Sequence, residues 1–118
     1  MEFVNLCDHV VSIQIDTEMI AIPPSGMYLR VEWMPANTRY VEYRGKQIPI
    51  VKDGVVKNIR GLPERREGVI FIASHAASQY CNLVLQRDDI VCPATTRKDS
   101  PIYDGESLVA VRKLRGGV

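Results

Sequence analysis

Between residues 11 and 16 the chain alternates, with Val11, Ile13 and Ile15 apolar and Ser12, Gln14 and Asp16 polar. A period of two is that of a strand with one face packed and the other in water. Asp16 to Glu18 turns the chain into a second apolar stretch, and Pro23, Pro24, Ser25 and Gly26 then suit a four-residue turn. Leu29, Val31 and Trp33 next face one way and Arg30 and Glu32 the other, until Pro35 and Asn37 interrupt the pairing. Segments 38–43 and 46–51 flank Arg44-Gly45 as a hairpin. Asp53-Gly54, between two apolar runs, predicts another.

The pattern changes after the polar loop 60–68, which is fenced by Gly61, Pro63 and Gly68. Residues 69–73 are an unbroken apolar run, the mark of a strand covered on both faces. Residues 74–86 carry the only helical pattern. Ser74 is its N-cap, Ala77, Cys81 and Val84 form its stripe, and Ser78, Asn82 and Gln86 lie away from it. Residues 87–94 read as a further strand, so strand, helix and strand make a crossover unit with parallel strands or with the helix capping the sheet. Asp104-Gly105 supplies another hairpin before the last strand. These elements predict a β-rich α+β fold of about eight short strands. The strands are expected to curl into a small barrel or two-layer sandwich with one helix.

At 118 residues, 46% hydrophobic and 25% charged, the chain is expected to form one globular domain over residues 1–118. A formal net charge of +1 gives no bulk field for nucleic acid or an anionic membrane, so any anion site must be local. No segment has the apolar length of a membrane span, and the N-terminal residues lack the basic and apolar regions of a signal peptide. A cytoplasmic location is expected. Three cysteines, Cys7, Cys81 and Cys92, are an odd number without CxxC or CxxH spacing, which reads as reduced, buried thiols rather than a disulfide or zinc framework.

The sequence lacks glycine-rich phosphate loops, a GxSxG elbow and HExxH, and neither His9 nor His75 begins a His-x-Ser/Thr motif. Asp88 and Asp89 are adjacent and point to opposite faces of an extended segment, so they cannot share a proton. No catalytic residue, metal ligand or cofactor site is therefore nominated. The strand-to-helix junction is the better place for a ligand. Free backbone N–H groups in a first helical turn hold phosphate or carboxylate, Ser74 can donate a hydroxyl, and His75 can stack or hydrogen-bond. Arg60 and Arg87 flank this junction in sequence and suit bidentate anion contacts. Asn5 and His9, at the start of the first alternating strand, complete the nominated ligand-binding set of Ser74, His75, Arg60, Arg87, Asn5 and His9.

With Asn5-Leu6 and His9 near the start, Ile22 to Gly26, Gly61-Leu62-Pro63, residues 67–74, and Arg87 to Pro93 in this order, the chain resembles a family of small phage and bacterial proteins. Asn5, His9, Ser25, Gly61, Leu62, Pro63, Ser74, Arg87 and Asp89 match that family's pattern. Cys7-Asp8 stands where the family has Thr-Pro, and Phe71 and Ala73 stand where it has Tyr and Val. The resemblance implies a phage accessory role in the host cytoplasm. The expected function is non-catalytic, namely binding a small anionic or nucleotide-like ligand and sequestering a second messenger of host defence, in a homo-oligomer. The alternatives are a structural or protein-binding module and a small hydrolase.

Overall fold

The structure is a computed structural model and describes residues 1–117. In chain order the strands begin with β1 (Glu2–Asn5), β2 (Val11–Ile15), β3 (Glu18–Ile22), β4 (Arg30–Met34), β5 (Asn37–Tyr43), β6 (Lys46–Lys52) and β7 (Val55–Arg60). They continue with β8 (Val69–Ile72), β9 (Ile90–Pro93), β10 (Ile102–Asp104), β11 (Ser107–Ala110) and β12 (Leu114–Gly116). Helix α1 (His75–Leu83) joins β8 to β9, and a 3₁₀ turn (Arg97–Asp99) precedes β10.

The unbroken apolar run forms the middle of a four-stranded sheet of order β1-β8-β9-β12, in which β1, β8 and β9 are parallel and β12 is antiparallel. Both faces of this sheet are covered, which is why β8 does not alternate. Val69, Phe71 and Ile90 pack on Ala77 and Cys81 of α1, with Val31 and Ile59 of the β4–β7 pair and Leu29 just before β4 beside them. Ile72 packs on the opposite side with Val11, Ile13 and Val111, against β2–β3 and the end of β11. The architecture is thus sandwich-like and β-rich with one α-helix, as expected. The twelve strands among the described residues exceed the expected eight because several are only three or four residues long and because one ribbon is split.

That ribbon corrects the reading of Asp53-Gly54. β5 pairs with β6 and β4 pairs with β7, so Asp53-Gly54 is not a hairpin turn. The chain runs out along β4 and β5, reverses at Arg44-Gly45 with both φ angles positive (52° and 74°), and returns along β6 and β7. Pro35 has no N–H for the ladder, and the pairing stops after Met34 and Val55 to resume at Asn37 and Lys52. Asp53-Gly54 lies opposite that interruption and accommodates it. A second irregularity falls between Glu32 and Trp33, where a bulge shifts the register. Leu29 and Val31 reach the core, whereas Trp33, expected on their face, is 55% exposed.

Helix α1 is shorter than expected and turns a different face inward. Its buried residues are Ala77, Ser78, Cys81 and Asn82, while Val84 follows the helix and is exposed. Ser78 and Asn82 face inward because the Ile90 carbonyl needs donors there. Ser78 Oγ and Asn82 Nδ2 both donate to it, at 3.3 and 3.1 Å. Gly116 (φ 141°) permits this close packing, since a Cβ there would meet the same carbonyl at 2.7 Å.

Candidate functional site

Asn5 and His9 are brought together, through the backbone. Asn5 is buried, and its Nδ2 donates to the carbonyls of His9 (2.9 Å) and Ile22 (3.0 Å) while its Oδ1 accepts from the Cys7 N–H (2.9 Å). Its own carbonyl accepts from the Ser25 N–H (3.0 Å) and hydroxyl (2.7 Å). The Asn-Leu corner and the Pro-Pro-Ser turn are therefore one hydrogen-bonded unit, and the Asn5 side chain is fully used in building it. The His9 ring stays outside, exposed, with Nδ1 3.2 Å from Asp8 Oδ1.

The unit forms one wall of a cleft of about 160 Å³, lined by Leu6, Cys7, Asp8, His9, Tyr28, Leu29, Arg30 and Ser74. Ser74 caps α1 by accepting from the Ala77 N–H at 3.3 Å, as the sequence indicates. His9 and Ser74, 65 positions apart in the chain, thus share one cleft. Arg30 joins them with its guanidinium 5.2 Å from the Tyr28 ring centre. Among the described residues Arg30 makes no ion pair. Sequence reasoning passed over it as one polar residue on the outer face of a strand.

The other nominated residues do not line this cleft, although Arg60 stands across from Arg30 in the β4–β7 register. His75 lines two different cavities, one of about 190 Å³ with Arg115 and Cys92 and one of about 420 Å³ with Trp33 and Tyr80. Arg60, exposed at the end of β7, pairs with Glu32. Arg87 grips Asp89 through two hydrogen bonds of 2.8 and 2.9 Å and donates to the Pro63 carbonyl at 3.1 Å. That grip holds the Asp89 carboxyl below the usual carboxylate range. It also fixes the Gly-Leu-Pro loop to the strand that follows the helix. Arg87 is the more firmly committed of the two arginines.

The ion pair of Asp99 and Arg115 was missed entirely. The buried Asp99 carboxylate accepts from Arg115 and from the Thr96 hydroxyl (2.6 Å), with a further hydrogen bond from the Thr96 N–H at 3.2 Å. The hydrogen bond from Arg115, then that from Thr96, drives its pKa far down. Thr-x-x-Asp is a capping-box spacing and was the available signal.

Burial pushes the thiols of Cys7, Cys81 and Cys92 up from the ordinary cysteine value, so each is held as the neutral, weakly nucleophilic form. This includes Cys92, 3.8 Å from His75 Nδ1. Among the described residues no three His, Cys, Asp or Glu side chains converge as metal ligands, and no helix is long and apolar enough to cross a membrane.

The distal ribbon stands unsupported by the rest of the molecule. Every residue of β5 and β6 is exposed, including Tyr40, Val41, Tyr43, Ile48, Ile50 and Val51. At its base the 420 Å³ groove runs between the ribbon and α1, lined chiefly by Trp33, Val55, Val56, Tyr80, Leu83 and Val84. The projecting arm stretches the molecule to 59 × 36 × 24 Å with a radius of gyration of 17.7 Å. A compact chain of this length has about 13 to 14 Å.

No match to this chain is found among protein-family profiles, curated proteins or solved structures.

Proposed function

We propose that this chain is a non-catalytic interaction module, and that its principal binding surface is the arm β5–β6. One observation carries this: a two-stranded apolar ribbon stands wholly exposed. A lone hairpin of this kind is marginal in water, and contiguous exposed apolar surface on a soluble protein marks a place where another protein docks. The arm also exposes β-branched and aromatic cross-strand pairs, which stabilise a sheet once something covers them. A phage accessory or assembly role in the host cytoplasm fits this reading and the motif resemblance.

Photo-crosslinking in cells tests it. A photoreactive residue at position 41 or 48 should give protein adducts of discrete mass, while one at exposed position 98 should not. Equal labelling at all three positions, or none at any, contradicts the reading.

The convergence of His9, Ser74 and Arg30 supports a second reading, in which the cleft holds a small anion. A volume near 160 Å³ takes a phosphate or carboxylate group, whereas whole small molecules occupy pockets of about 300–1,000 Å³. A nucleotide-like ligand would therefore seat one phosphate here and leave its base outside. Calorimetric titration with inorganic phosphate, cyclic dinucleotides and ADP-ribose derivatives decides this. Binding abolished by Arg30→Ala supports it, and no heat with any of them contradicts it.

A further inference from the structure

We infer that the surface the arm docks on belongs to a second copy of this chain, namely the acidic face made by β2–β3 and β10–β11. This rests on the arm being the binding surface. The two patches carry opposite charge. Arg39, Arg44, Lys46 and Lys52 against Glu42 give the arm a net +3. Residues 11–22 contain Asp16 and Glu18 with no Lys or Arg, and residues 102–110 contain Asp104 and Glu106 with none, so each hairpin carries −2. Among the described residues none of these side chains is in an ion pair.

The spacing matches as well as the sign. Basic residues sit at both ends of the arm, Arg39 and Lys52 near its base and Arg44 and Lys46 at its tip, with Val41, Ile48 and Ile50 between. These ends lie about six strand residues apart, roughly 20 Å. On the other face β2 and β11 run parallel through the Ile13–Val111 bridge, held by hydrogen bonds of 2.8 and 2.9 Å. Because they are parallel, the hairpin tips point in opposite directions. Asp16 and Glu18 mark one end and Asp104 and Glu106 the other, again about 20 Å apart along the strands. Exposed Ile15, Ile20, Leu108 and Val109 lie between them. Exposed ion pairs contribute little by themselves. Here the apolar centres supply affinity and the terminal charges fix register and exclude other partners.

The two patches lie on opposite sides of the central sheet. The arm extends from the β4–β7 pair beside α1, whereas Val11 and Ile13 of β2 and Val111, just past β11, pack on the Ile72 side. The contact is therefore heterologous, joining the arm of one copy to the hairpins of the next, as in a ring or an open chain.

Light scattering on the full-length chain, with variants Arg39→Glu/Lys46→Glu on the arm and Asp16→Lys/Glu106→Lys on the hairpins, tests this. The wild type should assemble, each variant should weaken assembly about tenfold or more, and an equimolar mixture should restore it. A salt series on the wild type guards against misfolded variants, with assembly weakening from about 0.05 to about 0.5 M salt. A wild type that stays monomeric overturns the second copy as partner, while arm-specific adducts to another protein would leave the interaction module standing. Failure of the mixture to restore assembly, or salt-independent assembly, overturns the pairing of these two patches. Adducts absent from the arm as well would bring down the wider reading.

Discussion

Val41 stands directly across from Ile48 on the arm, and both are more than 40% exposed. A β-branched pair in this position contributes cross-strand packing yet covers little of itself. Val41→Ser combined with Ile48→Ser should change unfolding free energy in urea by less than about 1 kcal/mol, because no core contact is lost. The same double variant should reduce association measured by sedimentation velocity. Loss of folding with it would mean that the arm belongs to the core.

The Asn5 hub makes the opposite prediction. Asn5→Ala leaves the His9 and Ile22 carbonyls and the Cys7 N–H without their partner at a buried site. A cost of about 2 to 4 kcal/mol is expected in denaturant unfolding. If Asn5→Ala unfolded like the wild type, the corner would be free for ligand contact.

Gly61 sits at φ 84°, and a Cβ on it would lie 2.5 Å from the Tyr28 carbonyl oxygen. Both the conformation and the space exclude a side chain. Gly61→Ala should cost about 2 kcal/mol or more, read from the urea midpoint. Gly45, with open space around it, should tolerate Ala better.

Arg87→Ala strands a buried carboxylate. Arg87 is 17% exposed, so water moderates the loss, and about 2 kcal/mol is expected rather than the roughly 3–5 of a fully buried pair. Asp89 and Asp99 also set the acid limit. Both have folded pKa values below the ordinary carboxylate value near 3.9. The unfolded chain therefore binds more protons in acid, and their contribution is present above about pH 4 and lost as pH falls through the depressed folded values. Thermal midpoints should be level between about pH 5 and 7 and fall below about pH 4. In Asp99→Asn the fall should be shallower, starting from a lower plateau.

Local rules made much of this fold legible. Alternation at residues 11–15, the apolar run 69–72, the Ser74 cap and the strand–helix–strand unit through α1 follow from period and capping, and the β8–β9 pairing shows that its strands are the parallel ones of the two arrangements it allowed. Asp53-Gly54 misled because turn chemistry says only that the chain can bend. Whether it reverses depends on which strands pair, and the proline opposite decided that. Ser78 and Asn82 were assigned to the surface because polarity was read without the strand carbonyl that they satisfy. The cleft was half legible. Ser74 and His9 carried visible chemistry, but Arg30 acquires meaning only once the Ser25–Asn5 contact folds β4 beside them. The arm's exposure was invisible, since its alternation is that of any packed hairpin.

Hydrogen exchange of the backbone amides of residues 37–52 most directly tests the claim that the arm docks. At high protein concentration these amides should exchange about a hundredfold or more slowly than at high dilution, while the β8 and β9 amides stay equally protected in both. Arm amides that exchange at the same rate at every concentration, with or without cell extract, would contradict it.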